Sequence, residues 1–128
     1  MTASLNRFAP LALGALRIMS ALLFMAHGTQ KLLGFPAPPA SGNLPAAFTM
    51  SWTAGVLELV GGALLALGLF TRPVAFVLSG LMAFAYFIAH APRNFYPVLN
   101  GGDAAILFCF VFLYLVFAGP GALAIDKR

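Results

Sequence analysis

The chain has 128 residues, of which 62% are hydrophobic and only 8% are Asp, Glu, Lys or Arg. Soluble domains carry about 25% charged residues, so the composition excludes a freely soluble globule, and its apolar content excludes a disordered chain. A net charge of +4 without any basic patch or recognition motif excludes nucleic acid as a partner. Cys109 is the only cysteine, so no disulfide can form within the chain. The composition predicts an integral membrane protein in contact with the lipid bilayer.

Four apolar stretches are each close to the roughly 20 residues that a helix needs to cross a bilayer. They run from about Pro10 to Leu33, from Ser51 to Phe70, from Pro73 to Ala91 and from Gly101 to Ala118. Thr71 is predicted to be the N-cap of the third helix, with proline in its first turn. The pattern predicts an all-α fold, a transmembrane four-helix bundle that forms one domain over residues 1–128.

Basic residues are distributed unevenly about these stretches. Four spans would place both termini on one side of the membrane. That side would hold Arg7, Arg72, Lys127 and Arg128, and the other only Lys31 and Arg93. Because cytoplasmic segments carry the excess of Lys and Arg, the distribution predicts that both termini are cytoplasmic. Arg17 interrupts the first apolar run, which disfavours a cleaved signal peptide.

Ionisable residues inside spans are candidate sites, because they are costly in hydrocarbon and usually face protein or water. A helical phase of about 100° per residue places Gly55, Glu58 and Gly62 on one face. Small residues mark close helix contacts, so Glu58 is predicted to point into the bundle and to need a basic partner or a proton. The candidate partners are Arg17, His27 and Lys31. One hypothesis is a structural ion pair between Arg17 and Glu58, and the alternative for Arg17 is an extended side chain that reaches the headgroups.

Helical rise places several polar side chains at a similar height in the outer half of the bundle. The candidate ligand-binding residues are His27, Lys31, Glu58, His90 and Asp103. Their structural alternatives are interfacial anchoring for Lys31 and His90, and helix-dipole stabilisation for Asp103. Two histidines on different helices meet the minimum requirement for haem ligation, but no Cys-x-x-Cys-His motif is present, so the sequence disfavours haem. No metal site is predicted.

The fourth stretch is rich in phenylalanine. Its phenylalanines are Phe108, Phe110, Phe112 and Phe117. Large aromatic side chains on such a helix suit lipid or a partner subunit. The pattern therefore predicts association, either as a homo-oligomer or with other membrane subunits.

Four motifs, taken together, carry a family resemblance. They are Gly55-x-x-Glu58-x-x-Gly61-Gly62 with Gly68-Leu69-Phe70-Thr71-Arg72, the run from Arg17 to His27-Gly28-x-x-Lys31, the run Asn94-Phe95-Tyr96-Pro97-x-x-Asn100-Gly101-Gly102-Asp103, and the ending Ala118-Gly119-Pro120-Gly121 through Asp126. Over residues 11–126 the chain resembles the DoxX family, in which Glu is usual at the position of Asp103. The resemblance implies a multi-pass protein of the bacterial inner membrane with four helices.

The resemblance implies two alternative functions. In the first, the protein is an accessory or scaffold subunit of a membrane complex, often a redox-linked one. In the second, it is an oxidoreductase component that binds a quinone or a sulfur compound. There, His27 or His90 would hydrogen-bond the ligand, Lys31 would supply positive charge and Glu58 would pass protons. The paired cysteines of related membrane thiol oxidoreductases are missing, so the sequence leaves enzymatic activity open. A transporter or proton pathway is the third alternative.

Overall fold

The computed structural model describes residues 2–39 and 42–126, which form helices and connecting segments without any strand. The α-helices are α1 (Thr2–Asn6), α2 (Ala9–Leu33), α3 (Met50–Leu67), α4 (Thr71–Ala85), α5 (Pro97–Asn100) and α6 (Asp103–Ala118). A π-helical turn, Tyr86–His90, continues α4. The prediction of an all-helical membrane protein is confirmed, and the long helices begin and end within a few residues of the predicted bounds.

Three of these helices are long and apolar enough to cross a membrane. They are α2 with 25 residues, α3 with 18, and α4 together with its π-helical turn with 20. Helix α6 is apolar but has only 16 residues. At 1.5 Å per residue it is roughly 24 Å long, somewhat short of the ~30 Å hydrocarbon core of a bilayer.

Local sequence features explain where α2 and α3 end and where α3 begins. Gly34 and Gly68 follow α2 and α3 with left-handed backbones, at φ 67° and 68°, a conformation that glycine adopts without steric cost. The hydroxyl of Thr49 accepts a hydrogen bond from the Trp52 N–H at 3.3 Å and so caps the start of α3. The apolar runs between these signals therefore become two separate helices.

The long helices pack in two pairs, α2 with α3 and α4 with α6, and the two pairs contact each other less extensively. The first pair approaches closely where small residues face each other. A Cβ atom added at Gly28 would lie 2.8 Å from the Leu59 backbone nitrogen and 2.9 Å from the Gly55 carbonyl oxygen. Glu58 lies on this face and is 2% exposed, which confirms its predicted inward direction.

The core between the pairs is partly aromatic. Phe24 of α2 packs against two rings of α6, those of Phe108 at 5.4 Å and Phe112 at 5.0 Å between centroids. Phe112 is fully buried, whereas Phe110 and Phe117 are exposed. The prediction that the phenylalanines of this helix face lipid or a partner is therefore wrong for Phe112, because one stripe of α6 packs into the core.

The buried side chain of Arg17 ties the C-terminal segment, residues 119–126, to the bundle. Its exposed fraction is 0%. The guanidinium Nε donates to the Leu65 carbonyl at 2.8 Å. Its terminal nitrogens donate to three carbonyls of the C-terminal segment, those of Pro120, Ala122 and Leu123. A buried charge is tolerated only when it is hydrogen-bonded, so Arg17 holds this segment in place and does not extend to the headgroups.

Asp126, at the end of the same segment, caps α4. Its carboxylate accepts hydrogen bonds from the backbone N–H of Thr71 at 2.7 Å and of Phe70 at 2.9 Å. The bond from Thr71, above all, lowers the pKa of the Asp126 carboxyl, and the Phe70 bond and the charge of Arg17 add to that effect. The prediction that Thr71 is the N-cap is wrong. Thr71 is the first residue of α4, and the capping oxygens come from the far end of the chain.

The close contact at Gly28 generates a stability prediction. Replacing Gly28 by Ala should lower the free energy of unfolding by about 1–3 kcal/mol, because the new methyl group meets backbone atoms that cannot rotate away. Gly80 of α4 is the matched control, since a Cβ atom there meets nothing within 4 Å. Unfolding of both variants in detergent measures the difference. Equal stability of the Gly28→Ala and Gly80→Ala variants would contradict the close packing of α2 on α3.

Candidate functional site

An ion pair between α2 and α3 forms the centre of the candidate site. Lys31 Nζ lies 2.9 Å from Glu58 Oε1 and 2.8 Å from Oε2, so the ammonium bridges both carboxylate oxygens. The Glu58 side chain is 3% exposed and the Lys31 side chain 30%. Gly55 makes room for the stem of Lys31, because a Cβ atom at Gly55 would lie 3.1 Å from the Lys31 Cβ. The glycine seam that brings the two helices together therefore also brings the two charges together.

The hypothesised ion pair between Arg17 and Glu58 does not form. Lys31 neutralises the carboxylate instead, and the guanidinium donates to the backbone carbonyls described above. Arg17 precedes Lys31 by fourteen positions, which corresponds to roughly 21 Å along α2. Arg17 and Lys31 therefore make their contacts at opposite ends of the bundle.

A cavity of about 310 Å³ lies between the two helix pairs, and the ion pair forms part of its wall. Four of the five predicted site residues line it, namely His27, Lys31, Glu58 and His90. Its remaining walls are apolar and include Phe24, Met82 and Phe108. A concave apolar space with a few convergent polar groups is the usual form of a small-molecule site.

Asp103, the fifth predicted site residue, does not line this cavity. It is the first residue of α6 and is exposed. Its neighbours Ala104 and Ala105 contribute to the wall instead. Since Asp103 and Ala105 are about 200° apart around the helix, the acid lies on the far side of α6.

His90 ends the π-helical turn and is held by a backbone carbonyl. Its Nδ1 lies 3.1 Å from the carbonyl oxygen of Asn100. A carbonyl oxygen can only accept, so Nδ1 carries the proton, and in the neutral ring Nε2 is left as an acceptor. π-Helical turns within α-helices occur frequently at functional sites. His90 is thus a cavity-lining imidazole with a defined tautomer.

Asn100 organises the turn that supports His90, and the sequence reasoning did not identify it as a site residue. Its side chain is 2% exposed. The Nδ2 group donates to the Tyr86 hydroxyl at 3.1 Å and to the Asn94 carbonyl at 2.9 Å. Its Oδ1 accepts from the Gly102 N–H at 2.8 Å. The available signal was an amide directly before two glycines, a pattern typical of a side chain that closes a turn.

His27 is the least constrained of the polar residues in the wall. It is exposed, and its ring meets Phe108 edge-on with centroids 6.0 Å apart. It makes no hydrogen bond with any residue in the described ranges 2–39 and 42–126.

Within those same ranges, no group of three or more His, Cys, Asp or Glu residues is arranged to hold a metal ion. The wall can therefore offer hydrogen bonds and exchangeable protons to a ligand.

Comparisons with known proteins agree that this chain is a membrane protein. The DoxX family model matches residues 12–91. An uncharacterized protein of Haemophilus influenzae is 46% identical over 128 residues, which covers 98% of this chain and 96% of the relative. The inner membrane protein YphA of Escherichia coli is 29% identical, covering 93% of this chain and 91% of the relative.

An uncharacterized membrane protein of Mycobacterium tuberculosis is 26% identical, covering 88% of this chain and 78% of the relative. No solved structure matches the chain significantly. The family model covers more than half of the chain, and the Haemophilus relative aligns with nearly all of it. This chain therefore belongs to the DoxX family of membrane proteins.

Proposed function

We propose that the protein binds the head group of a quinone in the cavity that the Lys31–Glu58 pair lines. The observation that carries the proposal is an ion pair with a buried carboxylate in the wall of an otherwise apolar cavity that two histidines also line. The cavity volume of about 310 Å³ lies near the lower end of the range for small-molecule sites. It is of the size expected for a single substituted ring.

The charge balance favours a quinone over a sulfur oxyanion. Both oxygens of Glu58 face the Lys31 ammonium, so the pair is electrically neutral as a whole. An anion that entered this apolar space would lose its hydration without gaining an unpaired positive charge. A neutral ring with two carbonyl oxygens needs only hydrogen-bond donors. Lys31 has one N–H left for that purpose, because two of its three donors are directed to Glu58.

The polar groups also suit the protons that a quinone takes up when it is reduced. His90 Nε2 can accept a proton and return it to a ligand oxygen, while its Nδ1 stays bonded to Asn100. Glu58 can take up a proton when Lys31 turns towards the ligand. In this proposal the electrons for that reduction come from a partner protein of the complex. The role of a redox-linked accessory or scaffold subunit, alone or as a homo-oligomer, stays a prediction.

In this proposal α6 is the fourth membrane crossing, and the protein lies in the bacterial inner membrane with both termini in the cytoplasm. Support for the crossing comes from the two ends of α6. Asp103 follows the turn that holds His90, and at the other end Arg72 donates to the Val116 and Phe117 carbonyls. The helix thus runs the full length of α4. Lys127 and Arg128, which contribute to the predicted orientation, lie outside the described residues.

The binding proposal is tested with a paired substitution. Glu58→Gln alone leaves the Lys31 charge unpaired and should destabilise the fold, whereas Lys31→Met combined with Glu58→Gln removes both charges and should fold. In lipid nanodiscs the double variant should bind a short-chain ubiquinone analogue about tenfold to hundredfold more weakly than the wild type, because it loses hydrogen bonds from charged groups. Titration calorimetry measures the affinities.

Asp103→Asn is the control for this test, because it removes an exposed acid that does not line the cavity. It should bind the analogue as the wild type does. Wild-type affinity in a folded double variant, or no binding by the wild type, would overturn the proposal.

The orientation is tested with reporter fusions after Arg128 and in the loop between α2 and α3. Four crossings with cytoplasmic termini should give a cytoplasmic reporter signal at the C-terminus and a periplasmic signal in that loop. Three crossings would place the two termini on opposite sides. Fusions at both termini would then report different compartments, and α6 would not be a crossing.

A further inference from the structure

An apolar groove runs along the seam between α3 and α4, where the two helix pairs meet. It encloses about 330 Å³ on the side of Pro73 and Leu64, and about 610 Å³ on the side of the candidate site. Leu57 lines both parts, which adjoin at this residue along the seam. Its side chains remain partly exposed, Val60 to 55% and Val77 to 52%, so the groove is open towards the membrane.

The groove is long, and its lining is regular. Its lining residues recur every three or four positions on α4 from Pro73 to Ala89, and on α3 from Met50 to Leu64. At 1.5 Å per residue this corresponds to roughly 20 Å. Small residues keep the groove open, among them Ala54 on α3 and Ala85 on α4. A groove of this length and apolar lining suits an extended apolar chain.

The groove joins the polar cavity at one end. Lys31, Ala85 and Ala89 line both spaces. The stem and ammonium of Lys31 therefore form part of the boundary between them. A molecule whose polar ring is bonded to Lys31 therefore has an apolar exit beside that residue, along the α3–α4 seam. A second apolar groove, between α4 and α6, meets the cavity at Met82 and Ala105.

We infer that this groove holds the prenyl tail of the quinone whose head occupies the cavity, an inference that rests on the proposed function. The ligand is thus an amphipathic, single-chain lipid that enters sideways from the bilayer. A glycerophospholipid fits less well, because its phosphate would meet an ammonium that Glu58 already neutralises.

Because the bilayer already solvates an apolar tail, the groove can favour the tail only through close packing. The expected effect is therefore measured against analogues that share one head group. A ubiquinone analogue without a tail, one with a single prenyl unit and one with several units are titrated into nanodiscs. Their affinities are expressed per mole of ligand in the lipid phase, which removes the effect of partitioning. The long-tailed analogue should bind about tenfold more tightly than the tail-less one.

The deciding variant is Ala54→Trp, which fills the groove without touching the cavity. It should lower the affinity for the long-tailed analogue to that of the tail-less analogue and leave the tail-less affinity unchanged. Ala15→Trp is the matched control, because Ala15 of α2 is exposed and lines neither the groove nor the cavity. It should retain the full preference for the long tail.

The possible results distinguish a failure of the tail groove from a failure of the head-group site. If all analogues bind equally and binding still depends on Lys31 and Glu58, the tail groove is wrong and the head-group site stands. If the tail-less analogue does not bind the wild type at all, both fail. If Ala54→Trp and Ala15→Trp keep the same preference for the long tail, the tail lies outside the α3–α4 seam and the inference is overturned.

Discussion

A charged side chain inside a hydrocarbon layer must be compensated, and this constraint organises both ends of the protein. At one end Arg17 is fully buried and satisfied by backbone carbonyls from α3 and the C-terminal segment. At the other end Glu58 is buried and neutralised by Lys31. Each charge fixes a piece of chain that apolar packing alone would leave free. Arg17 fixes the C-terminal segment, whereas Lys31 and Glu58 fix the register of α2 against α3.

The arrangement of the helices in two pairs explains the position of the cavity. The pairs α2–α3 and α4–α6 are packed closely within themselves and less extensively against each other. The C-terminal segment bonds to Pro10, Leu67 and Gly68 and so holds the bundle together at its own end. At the opposite end, the space between the pairs is not filled by side chains and becomes the cavity. Its neutral ion pair gives the cavity polarity without net charge.

Several features were predictable from the sequence because they depend on local pattern. Apolar run length located the long helices, and the phase of Gly55, Glu58 and Gly62 gave the direction of the carboxylate. The choice of Lys31 as its partner was not predictable, since Arg17 and His27 were alternative partners on the same helix. The rise per residue along α2 can identify the partner of Glu58 only when the alignment of α2 against α3 is known. The Gly28–Gly55 contact supplies that alignment.

Other features depend on contacts between distant parts of the chain. No side-chain pattern near Arg17 indicates that its partners are carbonyls more than 100 positions away. Asp126 caps α4 from 55 positions away, so Thr71 was the natural but wrong choice. Asp103 is a different case, because the stripe formed by Ala105, Phe108 and Phe112 was visible in the sequence. That stripe places Asp103 on the opposite side of α6.

The claim that most needs a direct test is that a quinone carbonyl is hydrogen-bonded at the Lys31–Glu58 pair. The infrared spectrum of a quinone labelled with carbon-13 at its carbonyls, measured in nanodiscs, reports that bond. With the wild-type protein, the carbonyl band should move to lower frequency than in empty discs, and the shift should be absent with Lys31→Met/Glu58→Gln. A band identical to that in empty discs, or a shift that persists in the double variant, would contradict the account.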